Sequence, residues 1–451
     1  MHNSSPMLLK KKKFTFAQIA ALVYLTLIGV GTVLLMLPIS SAQGTPTSLL
    51  DCLFTATSAT CVTGLIVVDT ATHWSFFGQV VIILLIQTGG MGFMAMVAML
   101  FWATGKKLGL TQRRLLWQSA GGEDANAKHL TRNILACTFI CEGIGTVLLS
   151  FFFVPKYGPG KGLFYSIFHA ISAFCNAGFD ILPEQVPFSS FLLYPDHVYL
   201  NVVLMLLIIF GGLGFFALYD LWKNRCRWTK LSLHTKLVLV VSALLIVLGS
   251  LGLLAFEHNA AFSDIDFGTK VLASMFQSVS ARTAGIATAD LSTLSPAGCL
   301  WMCILMVIGG SPASTAGGMK TTTFAILILG IWAEARRKPS VTVFKRRLDA
   351  ASVTRAWTIC AIYFMLVIIC TMLLCAIEPI TLMQGLFEIS SAIGTVGLTM
   401  GITPSLCSLS KVLICVLMFA GKLGAMTLAF ALAERVESVP LQRPVGTVII
   451  G

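Results

Sequence analysis

Charge is what this sequence has least of. Of its 451 residues only 11% are Asp, Glu, Lys or Arg, against 56% hydrophobic, and the mean hydropathy is +0.87. A water-soluble domain carries roughly a quarter of its residues as charges, so a soluble fold is excluded and a bilayer becomes the expected solvent. The motifs of common enzyme chemistry are also missing. There is no GxGxxG, no phosphate-binding P-loop and no HExxH, and the seven histidines do not cluster. The 13 cysteines are scattered. Cys137/Cys141 and Cys299/Cys303 are helix neighbours rather than CxxC pairs, which excludes a disulfide or zinc framework. No enzyme and no cofactor of this chain is expected.

What is there is apolar length. A span of the hydrocarbon layer takes about 20 apolar residues, and eight segments qualify, near 15–38, 75–103, 133–154, 198–222, 237–256, 297–335, 356–377 and 409–433. The net charge of +12 would point to nucleic acid if it were spread evenly. It is not spread evenly: with a cytoplasmic N-terminus, the two tails and alternate connections hold 24 of the 31 Lys and Arg, including KKKK at 10–13 and KRR at 345–347. That is the positive-inside pattern, with both termini cytoplasmic and no nucleic-acid partner. A cleaved signal peptide is the competing reading of KKKK plus an apolar run; 16–37 is too long for a signal core, and the later charge phase needs this span in place.

Between spans lies a short polar stretch, LFTATSATCVTGL at 53–65, and it occurs four times. IFHAISAFCNAGF (167–179), MFQSVSARTAGI (275–286) and LFEISSAIGTVGL (386–398) share its plan of an apolar residue and Phe, then small and hydroxyl residues, then Gly. The glycines fall at 64, 178, 285 and 397. Each stretch sits between two spans, so the expected fold is an all-α polytopic membrane protein of four helix–pore loop–helix repeats, pseudo-fourfold about one ion pore. A two-span unit returns the chain to its starting side, so the repeats share one orientation about an axis along the membrane normal. The predicted repeats are 15–104, 133–222, 237–335 and 356–434, with pore loops at 50–66, 163–180, 271–287 and 383–399. Cytoplasmic connections fall at 105–132, 223–236 and 336–355, and cytoplasmic tails at 1–14 and 435–451.

Irregular backbone at membrane depth survives only where protein or water satisfies it, and rings of carbonyls replace the hydration shell of a monovalent cation. The candidate filter is therefore Val62, Thr63 and Gly64; Asn176, Ala177 and Gly178; Thr283, Ala284 and Gly285; and Thr395, Val396 and Gly397. Acidic residues outside the cytoplasmic segments (Asp51, Asp69, Asp180, Glu184, Asp196, Glu257, Asp264, Asp266, Asp290, Glu378 and Glu388) would make a cation-attracting mouth, though for any single one an ordinary loop charge is the simpler reading. Arg282 and Glu388 lie inside pore loops; burial favours their pairing, or bonding to loop carbonyls, as filter support.

The apolar run 297–335 would be about 58 Å as one helix, so it must break, and GGSPASTAGGMK at 309–320 supplies the break. Lys320 should face protein or water. A structural kink is the bland reading of that segment. Lys422, in FAGKLGAMT, is a further cation within a span.

At these loops the chain resembles the Trk/Ktr/HKT superfamily of potassium transporters over nearly its whole length, and most closely the bacterial KtrB type. IGGSPASTAGGMKTTTF at 308–324 is similar to the family's third-repeat gate motif, with Ala313 where the family usually has Gly and Lys422 where it commonly has Arg. The resemblance implies K+ at the filter and an intramembrane gate loop at 309–323, formed by Gly309, Gly310, Ser311, Thr315, Gly317, Gly318 and Lys320 with Lys422 near it. It also implies a homodimer in the bacterial inner membrane, resting on a ring of cytosolic RCK-type subunits that bind the nucleotide. An alternating-access carrier coupled to sodium or protons is the other functional class that broken spans allow, and a scaffold without transport is remote.

Overall fold

The computed structural model describes residues 16–92, 127–182 and 188–424; the N-terminal tail, most of the first cytoplasmic connection, Glu184 and the C-terminal tail lie outside the described residues. The helices repeat in threes. Repeat 1 has α1 (Phe16–Met36), α2 (Leu49–Cys61) and α3 (Phe76–Gly90); repeat 2 has α4 (Ala127–Tyr157), α5 (Pro159–Phe174) and a broken pair α6 (Val198–Leu213) and α7 (Phe215–Lys223). Repeat 3 has α8 (Leu233–Glu257), α9 (Phe267–Ser280) and a second interrupted pair, α10 (Pro296–Val307) and α11 (Thr321–Ala335); repeat 4 has α12 (Ala350–Ile377), α13 (Leu382–Gly394) and α14 (Ser408–Leu423). A two-residue hairpin, β1 (Thr342–Val343) with β2 (Arg346–Arg347), decorates the connection between repeats 3 and 4.

Helix starts follow local chemistry. Ser48, Ser75, Ser232 and Ser295 each accept a hydrogen bond from an amide of the first turn, of Asp51, Gly78, Thr235 and Gly298 respectively, and Thr381 with Gln384 forms a capping box before α13. The carboxylate of Glu378, just past α12, accepts from the Cys407 amide ahead of α14 at 2.7 Å. The Ser410 hydroxyl and that amide hold its pKa below the ordinary carboxylate range.

The first helix of each repeat is apolar and largely uncovered: Leu22, Val30 and Val33 on α1 and Phe364, Met365 and Met372 on α12 are exposed. In water this would be an aggregating surface; against lipid tails it is the matching one. The short helices α2, α5, α9 and α13 lie inside, and from Gly385 to Gly394 only Leu386 of α13 escapes full burial. Each second helix packs against the short helix of the next repeat: α3 on α5, α6 on α9, α10 on α13 and α14 on α2. That sequence of contacts closes on itself, which makes the four repeats a ring.

Eight spans were expected, with that of repeat 3 broken; the described residues add a break in repeat 2, and the far ends of the second spans of repeats 1 and 4 lie outside the described residues. Among the described residues four helices are long and apolar enough to cross a bilayer, or five counting α6 with α7, which meet at 95°. The difference lies in the second helices. One break was expected, in repeat 3, yet α6 also breaks at Gly214 (φ 90°); α3 ends at Gly90, shortly before Gly92 (φ 77°), and α14 at Leu423, before Gly424 (φ 84°), with the residues beyond lying outside the described ones. The cause is a pair of glycines three apart, Gly89/Gly92, Gly211/Gly214 and Gly421/Gly424. The second of each pair takes a positive φ, and at Gly214 and Gly424 it caps the helix. The first admits the end of its own repeat's short helix: a methyl at Gly89, Gly211 or Gly421 would lie 1.9, 1.8 or 2.2 Å from the carbonyl oxygen of Thr60, Phe174 or Ile393.

Gly211→Ala is therefore expected to destabilise the detergent-solubilised protein by about 1–3 kcal/mol through overpacking. Gly29→Ala, on a helix face with nothing within 4 Å of the added methyl, should leave thermal unfolding where it is. Equal melting of the two variants would contradict the close approach.

Candidate ion-conduction site

The four short helices end in the same backbone turn. Val62, Asn176, Thr283 and Thr395 take φ of 56°, 58°, 74° and 52°, and two residues later Gly64, Gly178, Gly285 and Gly397 take 91°, 72°, 72° and 96°. Two left-handed residues so close together reverse the chain sharply, and the second position has no room for a side chain. A methyl at Gly64 would lie 2.5 Å from Ala177 O, at Gly178 2.9 Å from Ala284 O, at Gly285 2.3 Å from Val396 O and at Gly397 2.2 Å from Thr63 O. Each glycine thus abuts the carbonyl that precedes the next repeat's glycine, and the fourth returns to the first. The twelve residues expected to form the filter are brought together in this ring.

Hydroxyls from the short helices hold the turns. Ser58 Oγ and Ser391 Oγ accept from the amides of Gly64 (3.1 Å) and Gly397 (3.0 Å), while Ser172 and Ser280 donate to Phe179 O (2.6 Å) and Ile286 O (2.5 Å). These serines were not singled out from the sequence, although each is followed by Ala in all four stretches; that shared SA pair was the available signal. Repeat 3 is one residue short, with five positions from Ser280 to Gly285 against six from Ser58 to Gly64. The four turns are also unequal in side chains, since the Asn176 amide reaches Thr283 Oγ1 (3.3 Å) around the ring.

Arg282 and Glu388 do not pair. The Arg282 guanidinium donates to Ser242 O (3.4 Å) and Ser242 Oγ (3.1 Å) on α8. Glu388 accepts from Thr399 Oγ1 at 2.7 Å and from Thr403 Oγ1 at 2.5 Å, both beyond the repeat 4 glycine. The expected ion pair fails because hydroxyls of their own repeats are nearer; each residue ties its turn to surrounding structure separately. Much of the acidic mouth also has local work. Asp69, Asp266 and Asp290 cap helical turns, Asp51 pairs with Lys411 at 2.9 Å, and the fully buried Glu257 accepts from the amide and hydroxyl of Ser295.

The break between α10 and α11 is a strap with its own bonds. Ile308 and Met319 form a parallel bridge, closed by Met319 N to Val307 O (3.2 Å) and Gly309 N to Met319 O (2.8 Å), and Thr321 N donates to Gly310 O (3.1 Å) beside it. Ser311 N donates to Gly212 O, and Phe215 N to Ala313 O, which anchors the strap at the bend of α6 and α7. Thr315 crosses the ring. Its amide and hydroxyl donate to Gly211 O (3.4 Å) and Phe174 O (3.3 Å) in repeat 2, and its carbonyl accepts from Lys422 Nζ (2.6 Å) in repeat 4.

Repeats 2 and 4 face each other across the ring, so the strap lies against the ends of the short helices. Lys320 turns its ammonium onto the strap's own Ala316 O (2.7 Å). Ala313 takes φ 54°, a conformation that glycine adopts without strain and alanine does not, which explains why glycine suits that place.

The fold and this arrangement define a membrane protein with a ring of backbone turns around one axis and a strap across it. The chain belongs to the TrkH family of cation transport proteins, whose family model matches residues 12–440. It is 40% identical over 437 residues to the potassium/sodium uptake protein NtpJ of Enterococcus hirae, covering 95% of this chain and 96% of that protein. It is 38% identical over 446 residues to the Ktr system potassium uptake protein B of Bacillus subtilis, covering 98% of each. The structure resembles that of the potassium transporter TrkH from Vibrio parahaemolyticus, with a TM-score of 0.72 at 19% identity over 95% of this chain and 87% of that one.

Because Arg282 and Glu388 share no partner, a double-mutant cycle of their Ala variants should be additive within about 0.5 kcal/mol in thermal unfolding. A cycle of Glu388→Gln with Thr403→Val should show coupling beyond that. The reverse outcome would contradict the separate ties.

Proposed function

We propose that this chain is the potassium-conducting subunit of a bacterial uptake system, with the ring of Gly64, Gly178, Gly285 and Gly397 as its selectivity filter and the strap 309–320 as its gate. The observation that carries the reading is the closed ring of four glycines, each abutting the carbonyl before the next; it gathers backbone oxygens of the kind that replace a cation's water. Beneath it Lys320 and Lys422 put two ammonium groups where a cation must pass, each held by strap carbonyls. A strap seated there blocks the route by bulk and by charge. The repeats share one orientation, which favours a pore over a carrier that alternates between inverted halves.

The remaining assignments belong to the same reading. Relatives carry the name Ktr system potassium uptake protein B and D, and their lettered system supports a separate cytosolic nucleotide-binding subunit meeting the basic connections of a homodimer. The positive-inside pattern supports a plasma-membrane protein with both termini in the cytoplasm. The relative named for potassium and sodium makes sodium the ion against which selectivity is measured.

The experiment is ion flux and reversal potential in liposomes holding the full chain. The current should reverse near the potassium potential with no obligatory co-substrate. Among variants that fold, replacing a filter glycine by Ser should reduce discrimination against sodium. Deleting 312–316 should raise flux, and Lys320→Ala should raise it less, since that variant loses one charge and keeps the strap. Unchanged selectivity in all four glycine variants would overturn the filter, and folded deletion variants with no added flux would overturn the gate.

A further inference from the structure

One side chain belongs to both the filter and the strap. Thr395, the left-handed residue two before Gly397, lies between two glycines. A methyl at Gly421 of α14 would fall 3.0 Å from Thr395 Cγ2, and a methyl at Gly317 of the strap would fall 2.1 Å from Thr395 Oγ1 and 2.9 Å from Cγ2. The neighbouring Gly318 is similarly close to the end of α13, where a methyl would stand 3.1 Å from Gly394 O. The Thr395 hydroxyl is fully buried and makes no hydrogen bond. Its place is therefore set by packing, with one jaw on a fixed helix and the other on the strap.

The equivalent turn in repeat 2 is held differently. The Asn176 side chain lies against Gly211 and Gly212 of its own second helix and reaches Thr283, and the strap meets that helix through hydrogen bonds to Gly211 O and Gly212 O rather than through Asn176.

We propose that Gly317 and Thr395 form a steric latch, through which a seated strap holds the repeat 4 turn of the filter in register, so that ion discrimination depends on the state of the gate. The latch rests on the reading of the ring as filter and of the strap as gate. Its chemistry is shape alone: glycine at 317 is what lets the strap approach, and the bulk of Thr395 is what it meets. Unseating the strap frees one side of Thr395, and the turn that carries the Val396 carbonyl loses its backing.

The test is a two-residue cycle in the full chain, reconstituted in liposomes without a regulatory subunit, reading potassium flux and the potassium-to-sodium permeability ratio. Gly317→Ala adds a methyl where Thr395 already stands, and should raise flux while lowering the ratio. Thr395→Gly removes the obstructing atoms at a backbone conformation that glycine accepts. The double variant should therefore depart from the product of the single effects by about threefold or more. Single effects that simply multiply would overturn the latch, as would a higher flux in Gly317→Ala with an unchanged ratio.

Should Gly317→Ala fail to give a monodisperse protein, Thr395→Ala reports on the same contact by removing both atoms nearest to Gly317. It is expected to raise flux and lower the ratio, and no change in either overturns the proposal. Deletion of 312–316 separates this proposal from the reading beneath it. If the folded deletion variant carries no more potassium than the parent chain, the strap is not a gate; if it carries more at an unchanged ratio, the gate stands and the latch falls.

Discussion

Backbone that leaves a helix inside a bilayer has to find partners within the protein, because lipid offers none. This constraint organises the molecule. Four short helices bring non-helical turns to the centre, and the turns are held by serine hydroxyls from those helices and by contact with one another. The first helix of each repeat then needs only to be apolar, and it faces lipid. Glycine is required at two kinds of place for two reasons: in the ring because neighbouring backbones touch, and in the second helices because the short helices end against them.

The same constraint accounts for the strap. Its residues lie within the membrane region and have no regular ladder, yet its amides and carbonyls reach repeats 2 and 4. Thr315 uses its amide, hydroxyl and carbonyl at once. A segment satisfied by partners on opposite sides of an axis is stable while seated, and it can move only by surrendering bonds on both sides. Such two-sided attachment suits an element with two states, and Lys422 supplies the contact on the side of repeat 4.

The repeats, their four glycines and the interruption in repeat 3 were legible in the sequence because each is written locally, as a recurring pattern or an overlong apolar run. The break at Gly214 was not read there, although Gly89/Gly92, Gly211/Gly214 and Gly421/Gly424 share one spacing; an isolated glycine pair within an apolar run looks like a tolerated packing residue until the neighbouring carbonyl is known. The partners of Arg282 and Glu388 were misjudged for a related reason. Burial requires that a charge be satisfied but does not say by what, and here Ser242, Thr399 and Thr403 serve. Local pattern therefore reported where the chain must be irregular, and three-dimensional proximity decided which groups answer for it.

The central claim is that the ring of glycine turns holds a dehydrated monovalent cation. The most direct measurement is anomalous diffraction from crystals of the full chain soaked in thallium(I), a heavy substitute for potassium. Signal on the axis within the ring of Gly64, Gly178, Gly285 and Gly397, diminished by competing potassium, is the predicted result. Thallium bound elsewhere in the same crystals with none at the ring would contradict it.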